Sequence, residues 1–141
     1  MPNANDIKNL RAKTGAGVMD AKRALEEAGG DVAKATAIIK EKGFAKAESK
    51  SSREIKAGII KTYTHNNRVG VVLRLGCETD FVAKSDIFQS LAQNLVLQIV
   101  AMDPDGVDAL LAQPFIKDES VTIEHLVKDV IAKTGENIKI D

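Results

Sequence analysis

One thiol and two imidazoles stand out as groups able to act as nucleophile and base: Cys77, His65 and His125. Nucleophilic catalysis needs the base within hydrogen-bond reach of the thiol, and nothing in the spacing brings either histidine there. A cysteine that closes an apolar run is ordinarily a small core residue. One cysteine and two distant histidines also do not make a zinc site, whose ligands come in closely spaced pairs. Glu78 and Asp80 are the residue types used as general acid and base. Such a pair works when its surroundings drive the two pKa values apart, and the flanking residues supply no pocket. Gly15-Ala16-Gly17 ahead of a helix has the look of a phosphate loop. No strand precedes it, the third glycine is absent and no Gly-Lys-Ser/Thr follows, so a tight interhelical turn is the expected role. These residues predict a protein with no enzymatic reaction, metal, cofactor or small-molecule substrate.

The segment Cys77-Glu78-Thr79-Asp80-Phe81-Val82-Ala83-Lys84 is different. It lies between an apolar strand pattern and a long helix pattern, and Phe81 falls outside both apolar rows of that helix. A large aromatic beside a carboxylate at such a junction can protrude into a partner's pocket. On pattern alone the ordinary outcome is that Thr79 or Asp80 caps a helical turn and Phe81 enters the core.

The bulk properties narrow the classes. Lys plus Arg and Asp plus Glu are 20 each, whereas dedicated nucleic-acid binders carry a basic excess. The aromatics Phe44, Tyr63, Phe81, Phe88 and Phe115 are too sparse for base-stacking platforms. No apolar run approaches the ~18 residues that span a bilayer, and MPNANDIKNL lacks the apolar region of a secretory signal. A single cysteine rules out an internal disulfide. The expected setting is the cytoplasm or an organellar matrix, with no direct nucleic-acid or membrane partner. The zero net charge hides an asymmetry: residues 1–56 carry 12 basic and 8 acidic side chains, residues 57–141 carry 8 and 12. Two modules with different surfaces follow, and such complementarity can steer a partner.

The elements that must position these residues can be read from periodicity. Ile7 and Leu10, then Val18, Ala21, Ala24, Leu25 and Ala28, then Val32, Ala35, Ile38 and Ile39 repeat every three or four residues, as in amphipathic helices. Gly15, Gly29-Gly30 and Gly43 stop them, and Asp31 is a good N-cap for the third. Residues 45–56 read as an exposed, partly helical linker. Beyond it, Ala57–Thr64 and Arg68–Cys77 read as strands around an Asn66-Asn67 hairpin turn. Val69, Val71, Leu73 and Leu75 mark the buried face. Ser85 starts a helix through about Met102, a short helix follows at 107–112, another spans about 123–134 to Gly135, and Asn137–Ile140 is a short third strand. The fold class is α+β: three helices (1–44), a linker (45–56), then one small antiparallel sheet packed with helices on one side (57–141).

Thr79-Asp80-Phe81-Val82-Ala83 resembles the signature of the elongation factor Ts family, the nucleotide exchange factors of elongation factor Tu. The stretch from Leu10 to Leu25, LRAKTGAGVMDAKRAL, resembles the N-terminal signature of the same family. Gln113–Asp118 and Gly135–Ile138 resemble it as well, and the blocks stand in the family's order. The chain resembles a short form with a single core subdomain.

The resemblance implies a ubiquitin-associated-like N-terminal domain and one copy of the core subdomain. It implies that Phe81 inserts between two helices of the GTPase domain of elongation factor Tu, with Asp80 anchoring the contact and Thr79 and Val82 beside it. Ile7, Arg11, Val18, Met19 and Lys22 match the positions of the N-terminal domain that touch the same GTPase domain, with Val18 where methionine is common. His65 lies in a hairpin resembling one that contacts another domain of the partner. Long members carry a second core copy and a coiled-coil excursion. Here Met102 to Gln113 is a brief connection, so a homodimer is expected to supply the second copy, through the sheet edge or the core helices. Two other classes stand beside exchange: a module that holds elongation factor Tu or another partner without efficient exchange, and an enzyme using Cys77.

Overall fold

The computed structural model describes residues 1–141. Its packing divides into two units, Met1–Lys46 and Ala47–Asp141. The first holds helices α1 (Ala4–Thr14) and α2 (Val18–Glu27) and most of α3 (Val32–Ser49). Each start has a local cause. The Asn3 side chain accepts from the Asp6 amide at 2.8 Å, and Asp31 Oδ1 accepts from Ala33 and Lys34 at 2.9 and 3.1 Å. These bonds satisfy amides that a helix start leaves without partners. Leu10, Ala21, Ala24, Leu25 and Ala35 are buried, with Ile7, Val32, Ile38 and Ile39 around them. Three alanines among five core residues let the short helices approach closely.

The third helix does not stop at Gly43 as its sequence suggests; it continues to Ser49. A glycine inside a helix costs about 1 kcal/mol. The following Ala45, Lys46, Ala47 and Glu48 favour helix, and Ala47 is buried in the core of the second unit. Burial at the far end outweighs the local penalty.

The second unit begins with a hairpin, β1 (Ala57–His65) and β2 (Val69–Cys77), in register from Ala57↔Cys77 to His65↔Val69. Asn66 and Asn67 adopt φ of 50° and 55°, the left-handed pair that matches the twist of a two-residue hairpin. A short helix α4 (Asp80–Ala83) follows, then α5 (Asp86–Met102), α6 (Val107–Ala112), α7 (Ile123–Thr134) and a last strand Lys139–Ile140. That strand pairs antiparallel with β2, opposing Ile140 to Leu75. It is β5, because the two strands of a second ladder lie between it and β2 in the chain. The sheet order is β1-β2-β5.

Val71, Leu73, Leu75 and Cys77 face inward. There they meet Phe88, Leu91, Leu95 and Val96 of α5 and Ile123, Val127, Val130 and Ile131 of α7. Val69, expected on that buried face, lies near the hairpin tip and is half exposed. Helices cover one face of the sheet. The other face is open, with Ile60 and Val72 exposed by 61% and 74%. Gly58 sits on this open side at φ 152°, and a Cβ there would lie 2.4 Å from the Leu75 carbonyl oxygen. The close approach of β1 to β2 depends on its lack of a side chain.

A second ladder, β3 (Pro114–Phe115) with β4 (Asp118–Thr122), has no clear sequence signal, being two residues against five. Gln98 explains how so short a ladder holds. It is fully buried on α5. Its Nε2 donates to Pro114 O and Gln113 Oε1, both at 3.1 Å, and its Oε1 accepts from Ile116 N at 2.8 Å. Replacing Gln98 with Leu leaves the Ile116 N–H and the Pro114 carbonyl without these partners. The free energy of urea unfolding is expected to fall by about 2 kcal/mol; a change below about 0.5 kcal/mol would contradict this role for the amide.

Candidate functional site

The turn between β2 and α5 carries the feature that most needs a cause. Thr79 is the N-cap of α4: its Oγ1 accepts from Val82 N at 3.3 Å. The turn then splits its side chains. Val82 and Ala83 are buried in the core, while Asp80 and Phe81 face solvent, and Phe81 is 86% exposed. Of the two caps expected, Thr79 or Asp80, Thr79 is the one present, but Phe81 does not enter the core. Val82, expected at the partner surface, is turned inward and seats the turn instead.

The junction is held from far along the chain. Glu136 follows Gly135, whose φ of 76° ends α7 and turns the chain back toward β2. One carboxylate oxygen of Glu136 accepts from the Glu78 and Thr79 amides at 3.1 and 2.9 Å. The other accepts from the Thr79 hydroxyl at 2.7 Å. In return, Glu78 Oε1 accepts from the Asn137 amide at 2.7 Å. Two carboxylates thus clasp each other's backbones across 57 to 59 residues of sequence. Behind them, Asn137 is 2% exposed and its Nδ2 donates to the Ser51 and Arg53 carbonyls. Residues 45–56 are helical as far as Ser49, and their remainder is fastened here, with Lys56 N donating to Cys77 O.

Cys77 sits under the same junction. It is fully buried, and its Sγ donates to Thr79 O at 3.2 Å. Burial first, then the Glu136 charge, pushes its thiol pKa up from the ordinary value near 9. A neutral, buried thiol is a poor nucleophile. Neither histidine approaches it in any hydrogen bond described. His65 is at the hairpin tip, eight strand steps or roughly 26 Å from the Cys77 end, with Nδ1 3.1 Å from Tyr63 Oη. Glu78 and Asp80 are not a working pair either, since Glu78 is occupied by Asn137 and Asp80 is exposed. No three of His, Cys, Asp and Glu come together as a metal site, and no helix is long and apolar enough to cross a membrane.

In the first unit, Val18 and Met19 project from the first turn of α2, each about half exposed at 50% and 57%. Lys22 lies one turn on, 3.9 Å from Glu26. Arg11 is exposed on α1, and its Nε donates to Ala16 O at 3.2 Å. Ile7 is half-buried beside the small core. Thr79, Asp80 and Phe81 form one cluster in the second unit, and His65 stands apart from them.

Comparison with known proteins is decisive at this point. A profile of the family described as Elongation factor TS matches residues 78–141. The chloroplastic elongation factor Ts of Cyanidioschyzon merolae is 39% identical, over 95% of this chain and 88% of that protein. The elongation factor Ts of Thermotoga petrophila is 40% identical, over 95% and 89%. The chain belongs to the elongation factor Ts family. Its class is therefore that of the elongation factors of protein biosynthesis. The match to the elongation factor Ts of Nostoc sp. is 44% identical and covers 95% of this chain but 42% of that protein. The Thermotoga alignment runs over 178 positions, so that elongation factor Ts holds residues this 141-residue chain lacks.

Sequence reading singled out Thr79, Asp80 and Phe81 as candidates but missed the bonds of Glu136 and Asn137. The signal available for these two was a carboxylate and an amide directly after a helix-stopping glycine. That pattern says nothing about which backbone they will meet.

Two outcomes follow from this geometry. Thr79→Ala removes both the cap and a Glu136 bond, and is expected to lower unfolding free energy by about 1 to 2 kcal/mol in urea titrations. For Cys77 the folded pKa lies above the unfolded one. Its stabilising contribution is therefore full below about pH 9 and is lost as pH rises through the folded pKa. A thiol reagent at pH 8 should modify the native protein far more slowly than the urea-unfolded chain; equal rates would contradict the burial of this thiol.

Proposed function

We propose that this chain is a guanine-nucleotide exchange factor that binds elongation factor Tu and promotes GDP release during translation elongation. The observation that carries this reading is Phe81, a large apolar side chain 86% exposed on a turn whose neighbours Val82 and Ala83 are locked in the core. An exposed aromatic on a rigid seat is the form an interface anchor takes, because it is already ordered before binding. Family membership supports elongation factor Tu as the partner, and in this reading the surface engaged is its GTPase domain. Phe81 enters between two of its helices, Asp80 lies beside it, and Thr79 caps the turn. Ile7, Arg11, Val18, Met19 and Lys22 of the first unit form a second contact on the same domain. His65 at the hairpin tip reaches another domain.

The mechanism needs no bond-making chemistry. GDP is held by phosphate contacts and magnesium in the partner, and helices displaced by an inserted side chain weaken both. A factor that binds the nucleotide-free partner more tightly than the loaded one weakens nucleotide affinity by the same factor. Equal affinity for both forms would shift nothing. The site of action is the compartment that holds elongation factor Tu, cytoplasm or organellar matrix.

The open sheet face supports a homodimer. Ile60 and Val72 are diagonal neighbours there, on strands paired Ile60↔Arg74 and Thr62↔Val72. A second copy placing the same face against it would bury both. This favours the face of the sheet over the edge or the helices expected from sequence. A binding-only module is the second reading, favoured by the residues that the aligned relatives hold and this chain lacks.

The deciding experiment is release of a fluorescent GDP from elongation factor Tu. The chain is expected to accelerate release, and Phe81→Ala to reduce that acceleration at least tenfold. The variant should keep its melting temperature, because the side chain it removes touches mainly water. Binding without acceleration would favour the second reading. Sedimentation should show a dimer that Val72→Lys converts to monomer; a wild-type monomer at micromolar concentration would exclude the pairing.

A further inference from the structure

Glu136 carries a half-buried carboxylate whose described bonds all go to two successive residues: the Glu78 and Thr79 amides and the Thr79 hydroxyl. That piece is the stem of the turn that presents Phe81. The helix α4 has four residues, too few to hold itself in water. Its orientation must therefore come from outside. Inward, Val82 and Ala83 supply apolar packing. Apolar packing is non-directional and fixes depth better than rotation. The bonds to Glu136 are charge-assisted and directional, and they fix the two residues that set the turn's entry. The reciprocal bond from Asn137 N to Glu78 Oε1 ties the same carboxylate's segment to the β2 end.

We infer that Glu136 is a positioning residue for nucleotide exchange: its carboxylate clasps the Glu78–Thr79 backbone and so holds Phe81 in the orientation that enters the partner. The inference rests on the reading of Phe81 as the anchor. Glu136 acts through the turn and makes no contact with the nucleotide. Loosening the clasp leaves Phe81 present and exposed, but leaves its ordering to be supplied during binding, and affinity falls by that cost.

The test compares Glu136→Gln and Glu136→Ala in the GDP-release assay with intact elongation factor Tu. Glutamine keeps a carbonyl oxygen for the two amides but loses the charge; alanine loses all three bonds. Acceleration is expected to fall a few-fold with glutamine and about tenfold with alanine, the scale of a lost charge-assisted bond. Glutamine retains the geometry, so it decides the question if the alanine variant melts below the assay temperature. A merely structural role is separated by double-variant cycles. In a Phe81→Ala background the Glu136 substitutions should change exchange by less than twofold, because there is no anchor left to aim. In a Met19→Ala background, on the other unit, they should keep their full effect. Equal losses in both backgrounds would overturn the proposal, as would wild-type exchange by folded Glu136→Gln and Glu136→Ala. If Phe81→Ala itself exchanges like wild type, the anchor reading fails and this inference falls with it. If Phe81→Ala is slow while both Glu136 variants are normal, only the clasp is wrong.

Discussion

A phenyl group in water is under constant pressure to leave it. Burying a phenylalanine is worth about 2 to 3 kcal/mol, and the core of this unit lies directly beneath Phe81. The side chain stays outside because the inward positions of its turn are already taken by Val82 and Ala83. A rotation that buried Phe81 would expose Val82. It would also break the bonds from the Glu78 and Thr79 amides to Glu136. Much of the second unit can be understood as what makes that rotation unfavourable. The sheet fixes where β2 ends, only Lys84 and Ser85 separate α4 from α5 with Ser85 as the cap, and the return of the chain after α7 delivers Glu136 to the junction.

The clasp has a requirement of its own. A carboxylate can accept two amides and a hydroxyl only if its segment arrives at the correct depth and angle. Gly135 supplies the turn, with a backbone conformation that side-chain-bearing residues rarely adopt. Pairing of β5 with β2, Ile140 opposite Leu75, fixes the register a few residues later. Asn137 then spends its buried amide on the Ser51 and Arg53 carbonyls, so the segment leading into the last strand also secures the residues ahead of the first. The buried side-chain nitrogens and oxygens are all hydrogen-bonded, which is what lets a polar junction be rigid rather than merely wet.

The chemistry-bearing residues are disposed of in the same terms. Cys77 is buried and its pKa is pushed upward, the opposite of what a nucleophile needs. His65 lies at the far end of the hairpin, and Glu78 is committed to the Asn137 backbone. What remains exposed and organised is shape: a phenyl on a capped turn, two apolar side chains at the start of α2, and an open sheet face. In the proposed function such features act by binding, and a binder changes another protein's nucleotide affinity only through the difference between its affinities for two states.

Local patterns were enough for most of the elements. The three- and four-residue spacing gave the helices of the first unit, Asn66-Asn67 the hairpin, and Ser85 and Gly135 the ends of α5 and α7. In each case the physical cause lies within a few residues: a cap, a left-handed turn, an amphipathic stripe. Gly43 was misleading because its penalty is local and small, while the burial of Ala47 that carries α3 onward comes from residues far away in sequence. The β3–β4 ladder was hidden because its support, Gln98, comes from another helix. The sequence by itself determined most of the element types, a cap at Thr79 or Asp80 and the family blocks that single out Phe81. Only the tertiary structure decided that Phe81 faces water and Val82 does not. A turn of one helical winding has no preferred side until its neighbours pack, and the neighbours here include a carboxylate 57 residues away.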